Sequence, residues 1–266
     1  MGSQEATLAP LRIIGLATHN TYGGAQSALS RLIDALAKRG HHVELWFLYR
    51  TRGEHEAETP RARLLLPYPP EGVWGYSQAT LALCHELRTA RPDALLTFLP
   101  LANVLGQMLA ATSGIRGRVA SQRNPAWTYN RLMRMLDKVA GIIGIYRTIV
   151  CVSEAVRQSF THYPEAYRRR LLVVPNGIDP HLPAIRRADV RRVFGLPLEG
   201  FVVAAVGRLC VQKNLSLLLD GVARALGTTL ALAGDGDDRA MLERHARELG
   251  ISERVVFLGK ICCKRF

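Results

Sequence analysis

Short apolar runs alternate with longer segments of helical spacing along most of the chain. The runs at Leu11–Ala17, Val43–Leu48 and Phe201–Val206 have the length of a strand and are mainly apolar. Such runs are typical of parallel strands that are covered on both faces. Further strands are predicted at Arg63–Leu66, Asp93–Phe98, Val119–Ser121, Thr148–Val152, Leu171–Val174, Thr229–Ala233 and Val255–Leu258.

Helical spacing of apolar residues fills the intervals between these strands. It is clearest where Leu29, Ile33 and Leu36 recur three or four positions apart. Further helices are predicted at Gln78–Thr89, Ala102–Ala111, Tyr129–Val139, Asp189–Phe194, Leu215–Leu226 and Asp238–Leu249. The alternation of strand and helix predicts an α/β fold built on mainly parallel, doubly wound sheets.

A loop with two cations follows the strand Phe201–Val206 and precedes the helix Leu215–Leu226. It carries Arg208 and Lys213. Ligands of open α/β sheets bind where strands end and helices begin, and a helix start adds unpaired N–H groups and a positive dipole end. Arg208 and Lys213 therefore indicate a site for a phosphate or diphosphate, although on their own the two residues are equally consistent with ordinary solvated cations.

Two other strand ends carry candidate site residues. Gly23 and Gly24 lie in the loop between the first strand and its helix, where glycine lets a backbone approach a ligand closely. Arg123 and Asn124 follow the strand Val119–Ser121 and could line a cleft. A turn formed by Asn124 and Pro125 explains the second pair equally well.

Composition narrows the class of partner. The 266 residues carry a formal net charge of +13, which favours anionic partners such as nucleotides or anionic lipid surfaces. No basic module rich in aromatic residues is present, so no nucleic acid is expected. The five cysteines are odd in number and lack zinc-like spacing, which indicates a reducing cytoplasm.

Two short segments of the sequence each allow two interpretations. The carboxylates of the run Gly234–Asp238 suggest a metal, but a strand-to-helix turn in which Asp caps the following helix is preferred. The helix Tyr129–Val139 has an apolar face of Leu132, Met135, Leu136 and Val139 beside basic residues. We expect that face to pack in a core, with a membrane-surface helix as the alternative.

Three motifs in order resemble a known family. Val206-Gly207-Arg208-Leu209 with Lys213-Asn214-Leu215, then Leu232-Ala233-Gly234-Asp235-Gly236, then Val255-Val256-Phe257-Leu258-Gly259 resemble the donor-binding domain of retaining group 1 glycosyltransferases. The resemblance implies the GT-B fold of two Rossmann-like domains. The turn-rich segment Pro175–Pro180 matches the crossing between them, which places the domains at 1–176 and 177–266.

The resemblance also assigns expected roles. Arg208 and Lys213 would hold the diphosphate of a nucleotide sugar, and Gly23 and Gly24 would face it from the other domain. The nucleotide would be contacted by Gly207, beside Arg208, and by residues of the two later loops, which are Gly234, Gly259, Lys260 and Ile261. Arg123 resembles a Ser-x-Arg element found in some members.

The implied activity is transfer of a sugar, with retention, from a nucleotide-sugar donor to a glycan or lipid-linked acceptor in cell-envelope polysaccharide synthesis. No cofactor and no metal are expected, because Arg208 and Lys213 supply the positive charge. The expected location is the cytoplasm, with peripheral contact at the inner membrane face, where basic clusters such as Arg168–Arg170 would meet anionic lipid.

The sequence departs from the family pattern in two places. A histidine that approaches the sugar in many relatives has no counterpart here, so no catalytic residue is assigned. The sequence contains no Glu-x7-Glu element, which in the family binds sugar and ribose. This predicts truncation within the second domain, which would leave Phe201–Val206 at a sheet edge. The alternatives are an inactive nucleotide- or membrane-binding fragment, or a sugar-nucleotide epimerase of the same fold.

Overall fold

The computed structural model describes residues 9–21, 23–51, 62–177 and 185–261. The chain divides into two compact units, Met1–Ile178 and Asp179–Phe266, close to the division predicted after residue 176. The predicted connector is described only as far as Gly177, and Cys262 and Cys263 lie outside the described residues. Each unit is considered by itself.

Unit 1 is built on a seven-stranded parallel sheet with strand order β3-β2-β1-β4-β5-β6-β7. The strands are β1 (Arg12–His19), β2 (His42–Tyr49), β3 (Ala62–Leu66), β4 (Ala94–Phe98), β5 (Gly117–Gln122), β6 (Thr148–Cys151) and β7 (Leu171–Val173). The helices are α1 (Gly24–Lys38), α2 (Gly72–Ala90), α3 (Gln107–Thr112), α4 (Arg131–Ile142), α5 (Glu154–Gln158) and α6 (Glu165–Arg168). The order is that of a doubly wound fold, as predicted.

Apolar side chains cover both faces of this sheet. Ile14 and Leu16 of β1 join a core on one face, and Ala17 joins a second core on the other. Gly15 lies under α1, where a Cβ would press against Ile33 and Leu29. Burial on both faces explains why β1 is apolar throughout instead of alternating with polar residues.

Unit 2 has a three-stranded parallel sheet of order β10-β9-β8. Its elements are α7 (Arg187–Val193), β8 (Phe201–Val206), α8 (Leu215–Arg224), β9 (Thr228–Ala233), α9 (Arg239–Glu248) and β10 (Val255–Gly259). The strand β9 is central and wholly buried, whereas β8 lies at an edge with Phe201 and Val206 largely exposed. The predicted edge position of Phe201–Val206 is thus found in the described sheet.

The segment predicted to be helical over Ala102–Ala111 is helical, and it begins with a π-helical turn at Ala102–Gly106 before α3. Two local expectations are wrong. Asp238 precedes α9 as expected, but its side chain makes no capping hydrogen bond. The apolar face of α4 was predicted to pack in a core, but it is exposed. The helix buries Asp137, Ala140 and Gly141 instead.

Within the described residues, no helix is both long enough and apolar enough to cross a membrane.

Candidate functional site

The carboxyl ends of the three parallel strands of unit 2 meet at one edge of the sheet. The backbone N–H of Gly207, after β8, donates to the carbonyl of Ala233 at the end of β9, with an N···O distance of 2.9 Å. The N–H of Gly234 donates in turn to the carbonyl of Gly259 at 2.8 Å. These bonds hold the loops after β8, β9 and β10 side by side.

The backbones of the loops after β8 and β9 lie so close together that no side chain fits between them at Gly234 and Gly236. The N–H of Leu209 donates to the carbonyl of Asp235, and the N–H of Asp238 donates back to the carbonyl of Leu209, both at 3.1 Å. A Cβ on Gly234 would overlap the carbonyl of Gly207, and a Cβ on Gly236 would overlap that of Leu209. Glycine at 234 and 236 is therefore a steric requirement of this pair of loops.

Arg208 and Lys213 both lie on this loop with exposed side chains. Lys213 lies over Gly207, since its Cε would be 3.5 Å from a Cβ built on that glycine. Neither residue forms an ion pair with the residues that the structure describes. Two cations therefore face solvent from one loop at the carboxyl edge of the sheet.

The start of α8 adds to this positive loop. A single turn of 3₁₀-helix at Val211–Lys213 leads to Asn214, which adopts the left-handed conformation at φ 47° and begins the helix. No side chain caps the first turn of α8 and no acidic residue lies in it. The uncapped N–H groups and the positive end of the helix dipole suit an anion.

The carboxylates of the second loop are engaged in local bonds. An oxygen of Asp235 accepts from the N–H of Gly236 at 2.9 Å and lies 3.9 Å from Arg239. Among the described residues, no group of three His, Cys, Asp or Glu side chains could hold a metal ion. The structure thus gives Asp235 a role in shaping the turn.

The third loop presents mainly backbone. Gly259 has a positive φ of 65° and follows an irregularity in the pairing of β10 with β9. Lys260 and Ile261 after it are exposed. The sequence-predicted residues of unit 2 are thus brought to one edge, from three adjacent strands.

Unit 1 has its own crevice, where the strand order reverses between β1 and β4. Open α/β sheets bind ligands at such switch points. Gly23 precedes α1 in an extended conformation and Gly24 is the first residue of the helix. A Cβ on Gly24 would meet no atom of the described residues within 4 Å, so no contact within that part of unit 1 requires glycine there.

Gln26 orders the loop that leads to these glycines. Its Nε2 lies 3.3 Å from the carbonyl of His19, 3.3 Å from the hydroxyl of Thr21 and 3.2 Å from the Nδ1 of His19. The ring of His19 also lies 6.2 Å from that of Tyr49 at the end of β2.

The loop after β4 carries two unusual conformations at the same crevice. Leu99 has a φ of 77°, which is uncommon for a residue with a side chain, and the π-helical turn follows at once. The N–H of Ala102 donates to the hydroxyl of Thr18 at 3.2 Å, which ties this loop to β1. Positive φ and π-helical turns both occur often at functional sites.

Arg123 and Asn124 follow β5 as predicted, and Arg123 is fixed in place. Its guanidinium lies 5.1 Å from the centre of the Phe98 ring and donates to the side-chain oxygen of Asn176 at 2.7 Å. Burial lowers the pKa of Arg123, and the nearby charge of Arg31 lowers it further. Arg123 therefore links the end of β5 to the beginning of the connector.

Comparison with known proteins places the chain in a family. The family described as Glycosyltransferase Family 4 matches residues 22–182, and Glycosyl transferases group 1 matches residues 186–263. The chain belongs to glycosyltransferase family 4. The predicted resemblance is confirmed, and so is the predicted α/β fold class.

A curated protein and two solved structures are similar to this family 4 chain over most of its length. It is 26% identical over 254 residues to the lipopolysaccharide core biosynthesis glycosyltransferase LpsE of Rhizobium meliloti, covering 89% of this chain and 64% of LpsE. The structure of Anabaena HepE in complex with UDP-glucose is similar with a TM-score of 0.77 and 17% identity, covering 95% of this chain and 70% of HepE. The lipopolysaccharide outer core galactosyltransferase WaaB is similar with a TM-score of 0.66 and 18% identity, covering 96% and 69%.

The family 4 chain thus spans 64% of the length of LpsE and about 70% of the two solved structures.

Sequence reasoning missed His19, Gln26 and Leu99 in the crevice of unit 1. Gln26 could have been found from its place two residues after the Gly-Gly pair, because a polar side chain there can reach back to the loop. The conformation of Leu99 left no signal in the sequence.

Proposed function

We propose that the protein transfers a sugar, with retention, from a nucleotide-sugar donor to a glycan or lipid-linked acceptor in lipopolysaccharide or other polysaccharide synthesis. The family match and the name of the relative LpsE support the reaction and its pathway. The observation that carries the proposal is the loop of Arg208 and Lys213, which joins two unpaired cations to the uncapped start of α8.

That loop suits the leaving group of such a reaction. When the bond between the anomeric carbon and the diphosphate breaks, the electron pair goes to the diphosphate oxygen and its negative charge grows. Arg208, Lys213 and the N–H groups of α8 would stabilise this charge, and fixed donors that meet developing charge lower the barrier. The acceptor hydroxyl oxygen would form the new bond to the anomeric carbon on the face that the diphosphate leaves, and its proton would pass to the departing diphosphate oxygen.

The glycines shape the edge that the donor would meet. Because Gly234 and Gly236 have no side chains, the loops after β8 and β9 close against each other, and a nucleotide would meet their backbone groups, including those of Gly207, at the ends of these strands. Gly259, Lys260 and Ile261 lie at the end of β10, where a base would be contacted through backbone groups. The complex of HepE with UDP-glucose supports a donor of the nucleotide-sugar class.

The remaining assignments are carried by the resemblance. Gly23 and Gly24 would donate N–H groups to the diphosphate, and Arg123 and Asn124 would line the cleft. We place the reaction in the cytoplasm at the inner membrane face, where lipid-linked acceptors are presented. The proposal involves no cofactor.

A product assay distinguishes this function from its alternatives. The purified chain is incubated with a UDP-sugar labelled in the hexose, with and without lipopolysaccharide core acceptor, and the products are analysed by NMR. Label in the acceptor with the anomeric configuration of the donor supports the proposal. A new sugar nucleotide formed without acceptor indicates an epimerase instead, and UDP binding without any product indicates a binding fragment.

A further inference from the structure

The helix α4 turns its carboxylate inward and its apolar side chains outward. Asp137 is 1% exposed, whereas Leu132 is 62% exposed, Met135 56% and Val139 47%. An ordinary amphipathic helix of a globular protein buries its apolar stripe against a core. The reversed arrangement in α4 calls for a partner outside the unit.

A buried network fixes the helix in this orientation. The carboxylate of Asp137 accepts from the hydroxyl of Tyr167 at 2.7 Å, from Nε2 of Gln122 at 2.7 Å and from the hydroxyl of Tyr146 at 3.1 Å. The ring of Tyr167 lies directly on Gly141, where a Cβ would overlap it. Rotating α4 to bury its apolar stripe would break all of these bonds.

The exposed stripe runs the whole length of the helix and one residue beyond. Its members follow the helical spacing i, i+3, i+4, i+7 and i+11, and they are Leu132, Met135, Leu136, Val139 and Ile143. Trp127, just before the helix, is 67% exposed. Contiguous apolar surface of this kind is uncommon on a soluble protein and marks an interaction surface.

The exposed charges that α4 itself carries all have one sign. Arg131, Arg134 and Lys138 lie on α4, and its one acidic residue is the buried Asp137. Arg131 and Arg134 form no ion pair with any residue in the described ranges. The surface of α4 therefore joins an apolar stripe to unpaired positive charge.

Arginines in two other basic clusters of the chain form ion pairs or hydrogen bonds within the protein. Arg168 pairs with Glu165 at 2.6 Å, and Arg192 pairs with Asp189 at 3.0 Å. Arg191 is buried and donates to the carbonyls of Pro197, Leu198 and Gly200. Arg168 was predicted to meet anionic lipid, but it is α4 that presents its cations beside apolar side chains.

We propose that the α4 face, meaning the stripe Leu132, Met135, Leu136, Val139 and Ile143 with Arg131 and Arg134, docks on an anionic lipid membrane. The apolar side chains would enter the boundary between headgroups and acyl chains, and the two arginines would meet lipid phosphates. Trp127 suits this depth, since Trp is enriched at membrane interfaces. A charge of one sign favours lipid over a second copy of the chain, which would bring like charges together.

Vesicle co-sedimentation tests the proposal without any nucleotide, so it is independent of the proposed function. Vesicles of phosphatidylcholine with and without phosphatidylglycerol are compared as NaCl is raised. The chain is expected to bind the phosphatidylglycerol vesicles and to dissociate as salt increases. Arg131→Gln with Arg134→Gln should weaken binding roughly 25-fold, because each basic residue contributes about fivefold at an anionic surface.

The variant Leu132→Glu tests the apolar part and should weaken vesicle binding about tenfold or more. Leu81→Glu is the matched control, because Leu81 is 70% exposed on another helix of the same unit, and it should bind as the wild type does. Circular dichroism verifies that each variant is folded. Equal vesicle binding by Leu132→Glu and the wild type overturns the proposal, as does equal binding to vesicles without phosphatidylglycerol. Conversion of a dimer to a monomer by Leu132→Glu, without vesicle binding by the wild type, would assign the face to a second copy.

Discussion

Removing one hydroxyl from the network under α4 should destabilise unit 1 measurably. In Tyr167→Phe the ring remains, stacked on Phe160 with their centres 5.5 Å apart, so packing is retained. The hydroxyl that donates to Asp137 at 2.7 Å, and that accepts from Nε2 of Gln122 at 3.1 Å, is lost. A hydrogen bond to a charged group is worth about 1.5–3 kcal/mol, and here the acceptor stays buried after the donor is removed. For a domain of this size each kcal/mol lowers Tm by roughly 2–4 °C, so Tm should fall by about 3–12 °C.

A neighbouring tyrosine provides the control. The hydroxyl of Tyr163 is buried and has no hydrogen-bond partner in the described structure. Its ring packs edge-on against that of Tyr167 with centres 4.8 Å apart. Tyr163→Phe therefore removes the same atom from the same cluster without breaking a bond, and it should change the stability by about 0.5 kcal/mol or less.

The difference between wild type and Tyr167→Phe should also depend on pH. Burial raises the pKa of Asp137, while hydrogen bonds from Tyr167, Gln122 and Tyr146 act to lower it. Losing one of these donors raises the folded-state pKa of Asp137 further. A raised folded-state pKa means stability that is present at low pH and lost as pH rises, so the cost of Tyr167→Phe should be larger at neutral pH than in acid.

Thermal unfolding followed by circular dichroism measures these effects across pH. Equal destabilisation by Tyr167→Phe and Tyr163→Phe would refute the reasoning, because it would show that the bond to Asp137 contributes nothing. A cost for Tyr167→Phe that grows as the pH falls would also refute it.

Three further predictions concern other parts of the chain. Gly236→Ala should destabilise unit 2, because its Cβ would overlap the carbonyl of Leu209. Gly221→Ala, whose Cβ meets no described atom within 4 Å, should instead stabilise the unit by about 0.5–1 kcal/mol. Chemical denaturation compares the free energies of unfolding of the two variants. Val206→Lys at the exposed edge of β8 should reduce aggregation in light scattering with little loss of Tm, and unchanged aggregation would contradict the edge-pairing hazard. Burial raises the pKa of Cys151 to about 12, so iodoacetamide should modify it at mildly alkaline pH only after unfolding, and mass spectrometry of the native protein would detect any earlier reaction.

The sequence carried enough information to predict the strands because their signal is local. Buried parallel strands such as β1 and β9 are continuous apolar runs, and each predicted run became a strand within a few residues. The loop of Arg208 and Lys213 could be placed for the same reason, since it joins a clear strand to a clear helix.

The orientation of α4 could not be predicted in this way. Its pattern has an apolar and a basic face, and the pattern alone favours burying the apolar one. Asp137 decides which side of α4 faces the interior of the unit. Its partners Gln122 and Tyr167 lie 15 and 30 residues away in the sequence. Distant partners of this kind are set by the register of β5 and the packing of α6, which no local spacing shows.

Some residues in the crevice of unit 1, such as Leu99, were missed for a related reason. The positive φ of Leu99 and the π-helical turn after it depend on tertiary contacts, such as the bond from the N–H of Ala102 to Thr18, which no local spacing in the sequence shows. The tight contact of Gly234 with Gly207 likewise depends on the pairing of β8 with β9. The motif placed these glycines correctly in sequence, but the steric reason for them is visible only in the fold.

Calorimetry of UDP against uridine tests the central claim most directly, because the two ligands differ only in the diphosphate. The wild-type chain should bind UDP more tightly than uridine. Arg208→Ala and Lys213→Ala should each reduce UDP affinity about tenfold or more while leaving uridine binding unchanged, since a charge-assisted hydrogen bond is lost. Arg247→Ala, an exposed arginine late in α9, should change neither affinity. Equal affinity for UDP and uridine in the wild type, or an unchanged preference in both loop variants, would contradict the diphosphate site.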